Sequence, residues 1–229
     1  MTELNYGNEL SLVINDLHKA GINKFSIIMR HSARHYDTDF QKEPFMSLTE
    51  EGRNLAFRLG YSLPEGLSAR FFSSYIGRCI ETSYLIDKGY TKKVKKETIS
   101  NTVSEALAPF YILDLSEIAK IITKQEIPVF IRNWIDGKFP ESVLKNAKQT
   151  SSLMFSFIIE KFKEISENSI DIFISHDWNM FLLKEFGTGL KHEEFGKIEY
   201  LEGLVLFEQN GEIFITHHQT KPIQLSFKN

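Results

Sequence analysis

A single cysteine, Cys79, stands in the 229 residues of this chain. That excludes an intrachain disulfide and a cysteine-rich zinc site, and a reducing compartment is the simple expectation. A dominant charge is also missing: 27 Lys and Arg face 30 Asp and Glu, for a formal net charge of -3. No chain-wide basic field exists to hold nucleic acid, so any anion recognition must rest on a few placed cationic groups. No apolar run approaches the ~20 residues needed to span a bilayer. The opening segment carries Glu9 and Asp16 among its apolar residues and lacks the basic-then-apolar layout of an export signal. The expectation is a soluble, cytoplasmic protein with no nucleic-acid or membrane partner. Internal repeats and low-complexity segments are absent too. With 42% hydrophobic residues, the chain can bury a core without staples, and one domain over 1–229 is expected.

What is present alternates between two periods. Leu10, Val13, Ile14 and Leu17 recur at helical spacing ahead of Gly21, which predicts an amphipathic helix over 6–20. Phe25 to Met29 is an apolar run of the length a buried strand needs, and it delivers the chain to Arg30-His31-Ser32. Thr49, followed by Glu50 and Glu51, reads as the N-cap of a helix with Leu55, Leu59 and Leu63 on its apolar side. Ala69 to Phe72 predicts a second strand leaving through Ser73-Ser74, then a helix over 76–88 closed by Gly89. Lys92, Lys93, Lys95 and Lys96 around Val94 suggest an edge strand guarded by lysines.

Residues 114–165 read as helix-rich, broken at Pro128 and Pro140, with an amphipathic stretch from Glu141 to Ile165 and a helical insertion at about 114–140. Ile170 to Ile174 is a third strand, ending at Ser175-His176-Asp177, with a helix over 178–186 behind it. Leu204 to Phe207, the Asn210-Gly211 turn and Ile213 to Ile215 predict a β-hairpin.

Strands alternating with helices predict an α/β fold, a three-layer α/β/α sandwich around a mainly parallel sheet, whose ligands bind at the carboxyl ends of the strands. Three such ends carry chemistry: Arg30-His31 with Arg34 behind, Ser73-Ser74 leading to Arg78, and His176-Asp177. Were these strands neighbours, three guanidiniums, two imidazoles and a carboxylate would share one rim. Guanidinium offers paired donors to phosphate oxygens and stays charged at any working pH, so that rim suits an anion.

The ordered set Arg30-His31-Ser32-Ala33-Arg34, then Ser74 to Thr82 around Arg78, then Ser175-His176-Asp177, resembles the histidine phosphatase superfamily, also called phosphoglycerate mutase-like. Leu48 to Gly52 with Leu59-Gly60 resembles the helix that follows the first motif there. The resemblance implies phosphoryl transfer in two steps, with His31 as nucleophile and Arg30, Arg34, Arg78 and His176 holding the phosphoryl oxygens. It implies no metal and no other cofactor. His-Asp at 176–177, and Arg34 three residues after His31, match the acid phosphatase and phytase branch, in which that Asp donates the proton. Asp177 is therefore the expected donor. Glu105 lies about where the mutase-like branch carries its acid, and it is the alternative. Two positions depart from the pattern: Ser32 where the family commonly has Gly, and Tyr36 where the acid phosphatase motif often has Pro. The expected substrate is a small-molecule or peptide phosphate ester. Hydrolysis is favoured over a mutase reaction, since no second anion site is legible.

Two other classes compete. A metal enzyme would use His31, His35, His176 and Asp177 as ligands, although nearby arginines favour an anion over a cation. A non-catalytic phosphate-binding module would keep the clamps without turnover. Cys79, Trp134 and Trp178 read as packing residues, Glu202 as a turn residue, and His217-His218 as lacking a partner acid.

Overall fold

The computed structural model describes residues 5–39, 41–98 and 101–225, so the outer ends of the domain expected over 1–229 lie outside the described residues. Its centre is one seven-stranded sheet in the order β3-β2-β4-β1-β5-β6-β7. The strands are β1 (Lys24–Arg30), β2 (Ser68–Ser73), β3 (Thr102–Val103), β4 (Ser169–Ser175), β5 (Gly203–Gln209), β6 (Glu212–Thr216) and β7 (Ile223–Gln224). The sheet is parallel from β3 through β2 and β4 to β1 and antiparallel from β5 onward. All seven residues of β4 are buried, as befits a strand covered on both faces.

Alternation along the strands sorts the core into two layers. Phe25, Ile27 and Met29 of β1 join Ile170, Ile172 and Ile174 of β4 beneath helices α1 (Asn8–Lys19), α2 (Glu50–Ser62) and α3 (Gly77–Val94). Ile28 and Phe173 face the other way, toward α4 (Leu115–Ile122), α5 (Ile127–Ile135), α6 (Ala147–Glu164) and α7 (Asp177–Thr188). The result is the α/β/α sandwich expected. The short α8 (His192–Phe195) follows α7. Thr49 caps α2 as predicted, its hydroxyl accepting from the Gly52 amide at 2.9 Å. The Asn210-Gly211 turn has both residues at positive φ, 55° and 79°, as a tight hairpin requires.

The structure departs from four local expectations. Helix α3 does not stop at Gly89 but runs on to Val94, with Lys95 as a left-handed cap at φ 54°. Lys92 and Lys93 therefore sit in the last turn of a helix, where cations meet the negative end of its dipole, and not on an edge strand. Pro128 opens α5 rather than breaking a helix, and the stretch 141–165 is helical only from Ala147 to Glu164, capped by Asn146.

Gly89 has a different task. A Cβ there would overlap the Phe57 carbonyl oxygen of α2, and one at Gly60 would overlap the Ile86 carbonyl oxygen of α3. The two helices cross at backbone contact. Gly89→Ala must push them apart, and a loss of about 3 kcal/mol, a drop in Tm of roughly 10 °C, is expected by thermal melting.

Candidate active site

The C-terminal ends of β1, β2 and β4 lie side by side, because Arg30 is in register with Ser175 and Ser73 with Ile174. The ladder continues past the strands. The His31 amide donates to Ser175 O at 2.9 Å and the Ser74 amide to Ile174 O at 3.0 Å. Backbone pairing thus holds Arg30, His31 and His176 at one edge, the two rings with centroids 5.7 Å apart, and Arg78 and Arg34 reach them by their side chains.

His31 is 2% exposed, and both ring nitrogens are engaged. A carbonyl can only accept, so Nδ1–H donates to Ser32 O at 2.8 Å; a guanidinium can only donate, so Nε2 accepts from Arg78 Nε at 3.0 Å. These partners select the neutral tautomer with its lone pair on Nε2. Burial first, then Arg78, hold the ring well below the usual histidine range. The same logic fixes His176: Nδ1 faces Arg78 Nη2 at 3.4 Å and Nε2–H donates to Ser74 Oγ at 2.9 Å. Burial, then Arg78, press His176 down to about 3.

Arg78 Nη1 donates to the Glu43 carbonyl at 2.8 Å, so one guanidinium ties both histidines to the segment after β1. Arg30 lies over the Tyr200 ring at 4.1 Å, donates to Ile198 O at 2.7 Å and pairs with Asp177 at 3.0 Å. Arg34 pairs with the Glu43 carboxylate and covers the Tyr36 ring at 4.2 Å. It is also close enough to His176 and Asp177 to depress both. The Nε–H groups of Arg30 and Arg34 are buried without a hydrogen-bond partner.

Asp177 is the first residue of α7, and its side chain is 35% exposed. Burial pulls its carboxyl upward, but Arg30, then His176, outweigh it and leave it below the ordinary carboxylate value. Glu105 is exposed in a 3-10 turn, and no pairing with these groups is formed. Ser32, the departure from glycine, donates its hydroxyl to the Gly52 carbonyl at 2.7 Å, which fastens the loop after β1 to α2.

Sequence reasoning missed several partners. Glu43 and Ser74 hold Arg34 and His176 respectively, and Tyr200 supports Arg30. His217 does have a partner acid: Glu202 accepts from it at 2.9 Å and from Lys184 at 2.7 Å, all three buried or nearly so. Glu202 is held down at about 2 because those two hydrogen bonds overcome burial, and its backbone carbonyl accepts from the Arg30 amide. Cys79 is buried with its thiol pushed up to about 12, a packing residue and no nucleophile. Trp178, half-buried, packs on Phe130 at the margin of the core.

The alternative metal set does not converge. Among the described residues one group of three such side chains does, Glu185, His192 and Glu193, on the far helical layer, and Arg132 already donates to both of its carboxylates.

Buried neutral histidines make stability depend on pH. Burial and Arg78 press His176 down to about 3 in the folded protein against the usual 6.5, so below about 6.5 the unfolded chain takes up a proton that the folded one refuses. Stability is complete above 6.5 and falls as the pH drops through that window. From pH 7 to 5 the loss is about 2 kcal/mol for His176, and His31 shifts in the same direction. Denaturation at stepped pH checks this; the slope should flatten in His176→Gln.

This architecture is the phosphoglycerate mutase-like fold. Among solved structures, YhfR of Bacillus stearothermophilus aligns with a TM-score of 0.57 and 18% identity over 85% of this chain and 96% of its own. A phosphoglycerate mutase from Bacillus anthracis aligns at 0.56 with 17% identity, over 87% and 94%. A mycobacterial glucosyl-3-phosphoglycerate phosphatase aligns at 0.57 with 13% identity, over 80% and 89%. No family model and no curated protein sequence matches the chain. The structures sharing this fold include both phosphatases and a mutase.

Proposed function

We propose that this protein hydrolyses a phosphate monoester through a covalent phosphohistidine on His31. The observation that carries the proposal is the preset imidazole: its Nδ1 proton is held by Ser32 O, leaving an Nε2 lone pair in a site of three guanidiniums. The Nε2 lone pair attacks phosphorus as the bond to the leaving oxygen breaks, and that oxygen takes a proton from Asp177. Water then attacks phosphorus, giving its proton to the Asp177 carboxylate; the P–N bond breaks and His31 regains its lone pair.

Arg30, Arg34 and Arg78 neutralise the equatorial oxygens during both transfers, with His176 as a further hydrogen-bond donor. A phosphoryl group also supplies acceptors for the two buried Nε–H donors of Arg30 and Arg34. Asp177 is ionised beside Arg30 in the free protein, so binding must protonate it; a phosphate dianion that takes over Arg30 raises the carboxyl and recruits that proton. Residues 114–140, which form α4 and α5, are the proposed insertion that shapes the substrate side.

The direct test is rapid quenching during turnover of a labelled ester. Phosphate bound to His31, stable in alkali and lost in acid, is the expected result; a protein that turns over ester without such an adduct has another mechanism.

A further inference from the structure

The carboxylate of Glu43 occupies Arg34, and its backbone carbonyl occupies Arg78. Both belong to a 3-10 turn, Glu43–Phe45, that carries no part of the phosphohistidine cycle. The side chains of Arg34 and Glu43 are 10% and 16% exposed, so the pair is screened little by solvent. Three guanidiniums face the carboxylates of Asp177 and Glu43, and both histidines are neutral, so one net positive charge receives a dianion.

On this side the remaining groups add little cation. Asp37 gives its backbone amide to Glu43 Oε1 at 3.3 Å, and Lys42 is 3.7 Å from Asp39. A second anion on a leaving group lying on this side would meet carboxylates instead of free guanidinium.

We infer that Glu43 is a specificity-determining residue that competes with the phosphoryl group for Arg34 and selects monoesters whose leaving group is neutral or cationic. This rests on the phosphatase reading only for its substrate half; competition for Arg34 is a matter of anion binding. Phosphoamino alcohols fit the selection, whereas bisphosphates and phosphorylated carboxylic acids do not.

The experiment uses the isosteric Glu43→Gln. Calorimetry with inorganic phosphate is expected to show binding tightened roughly tenfold, because the amide releases Arg34. Wild type should prefer phosphoethanolamine to 3-phosphoglycerate in kcat/KM, and the variant should narrow that ratio, mainly by gaining on phosphoglycerate. Phosphate binding that weakens in Glu43→Gln makes Glu43 a support for Arg34 and overturns the inference, as does an unchanged ratio. Glu43→Asp, which draws the carboxylate back from Arg34, reads in the same direction if the amide variant fails to fold. Tightened phosphate binding without turnover of any ester by wild type would overturn the phosphatase reading and the substrate half with it, while leaving the competition for Arg34 standing.

Discussion

His31→Ala is expected to remove the labelled adduct and to lower kcat/KM on any good ester by roughly 10⁴ or more, with little change in fold. The size follows from the role: without Nε2 no covalent intermediate forms, and what remains is binding and charge neutralisation by the arginines. Alanine also removes the Nδ1 bond to Ser32 O and the acceptor for Arg78 Nε, both of which lie inside the pocket. Inorganic phosphate should still bind the variant, since Arg30, Arg34 and His176 are intact. Steady-state rates and phosphate calorimetry on one preparation separate a lost nucleophile from a lost pocket. An active His31→Ala would end the proposal.

The second large effect belongs to Asp177→Asn, and its signature is dependence on the leaving group. An alkoxide must be protonated as it departs, so alkyl phosphates should lose about 10²- to 10⁴-fold in kcat, whereas p-nitrophenyl phosphate, whose phenolate leaves unaided, should lose far less. The pH profile follows from the depressed carboxyl. The reactive complex carries a proton that the free protein at neutral pH does not hold on Asp177, so kcat/KM on alkyl esters should fall as pH rises above neutral. A carboxamide at this position has no such proton to lose, so the variant's residual activity on the p-nitrophenyl ester should show no such fall. Equal losses on both esters would reject Asp177 as donor. If Glu105→Gln reproduces the leaving-group dependence instead, the exposed Glu105 swings onto substrate and the mutase-branch acid is the donor.

Strands β1, β2 and β4 were readable because each is an apolar run that stops abruptly at polar chemistry. The end of α3 was not, because Gly89 is the residue type that usually closes a helix. Here it serves the crossing with α2, a tertiary cause invisible to local pattern. The lysines after it alternate as an edge strand would, yet they ride the last turn of that helix.

Within the site, His31, His176, Arg30 and Arg78 were legible because each sits at or just beyond a strand end. Glu43 was not, since its approach to Arg34 depends on how an irregular segment folds back. Nor was the Lys184–Glu202–His217 cluster, whose members come from α7, the turn before β5 and the end of β6. No spacing rule links them.

The backbone bond from the His31 amide to Ser175 O extends the ladder between β1 and β4 by one residue. Freeing that amide means parting the two central strands, so its hydrogen should exchange only when the whole molecule opens. Arg34 and Glu43 stand outside that regime: among the described residues, backbone bonds from Thr49 to Ala33 and from His35 to Ser47 close the base of their segment, and Arg78 on the Glu43 carbonyl and Tyr36 on Tyr200 tie it by side chains. On the proposed roles, chemistry and choice of substrate run on different clocks: the first is inherited from the stability of the sheet, while the second rests on Arg34 and Glu43, outside the ladder of the sheet.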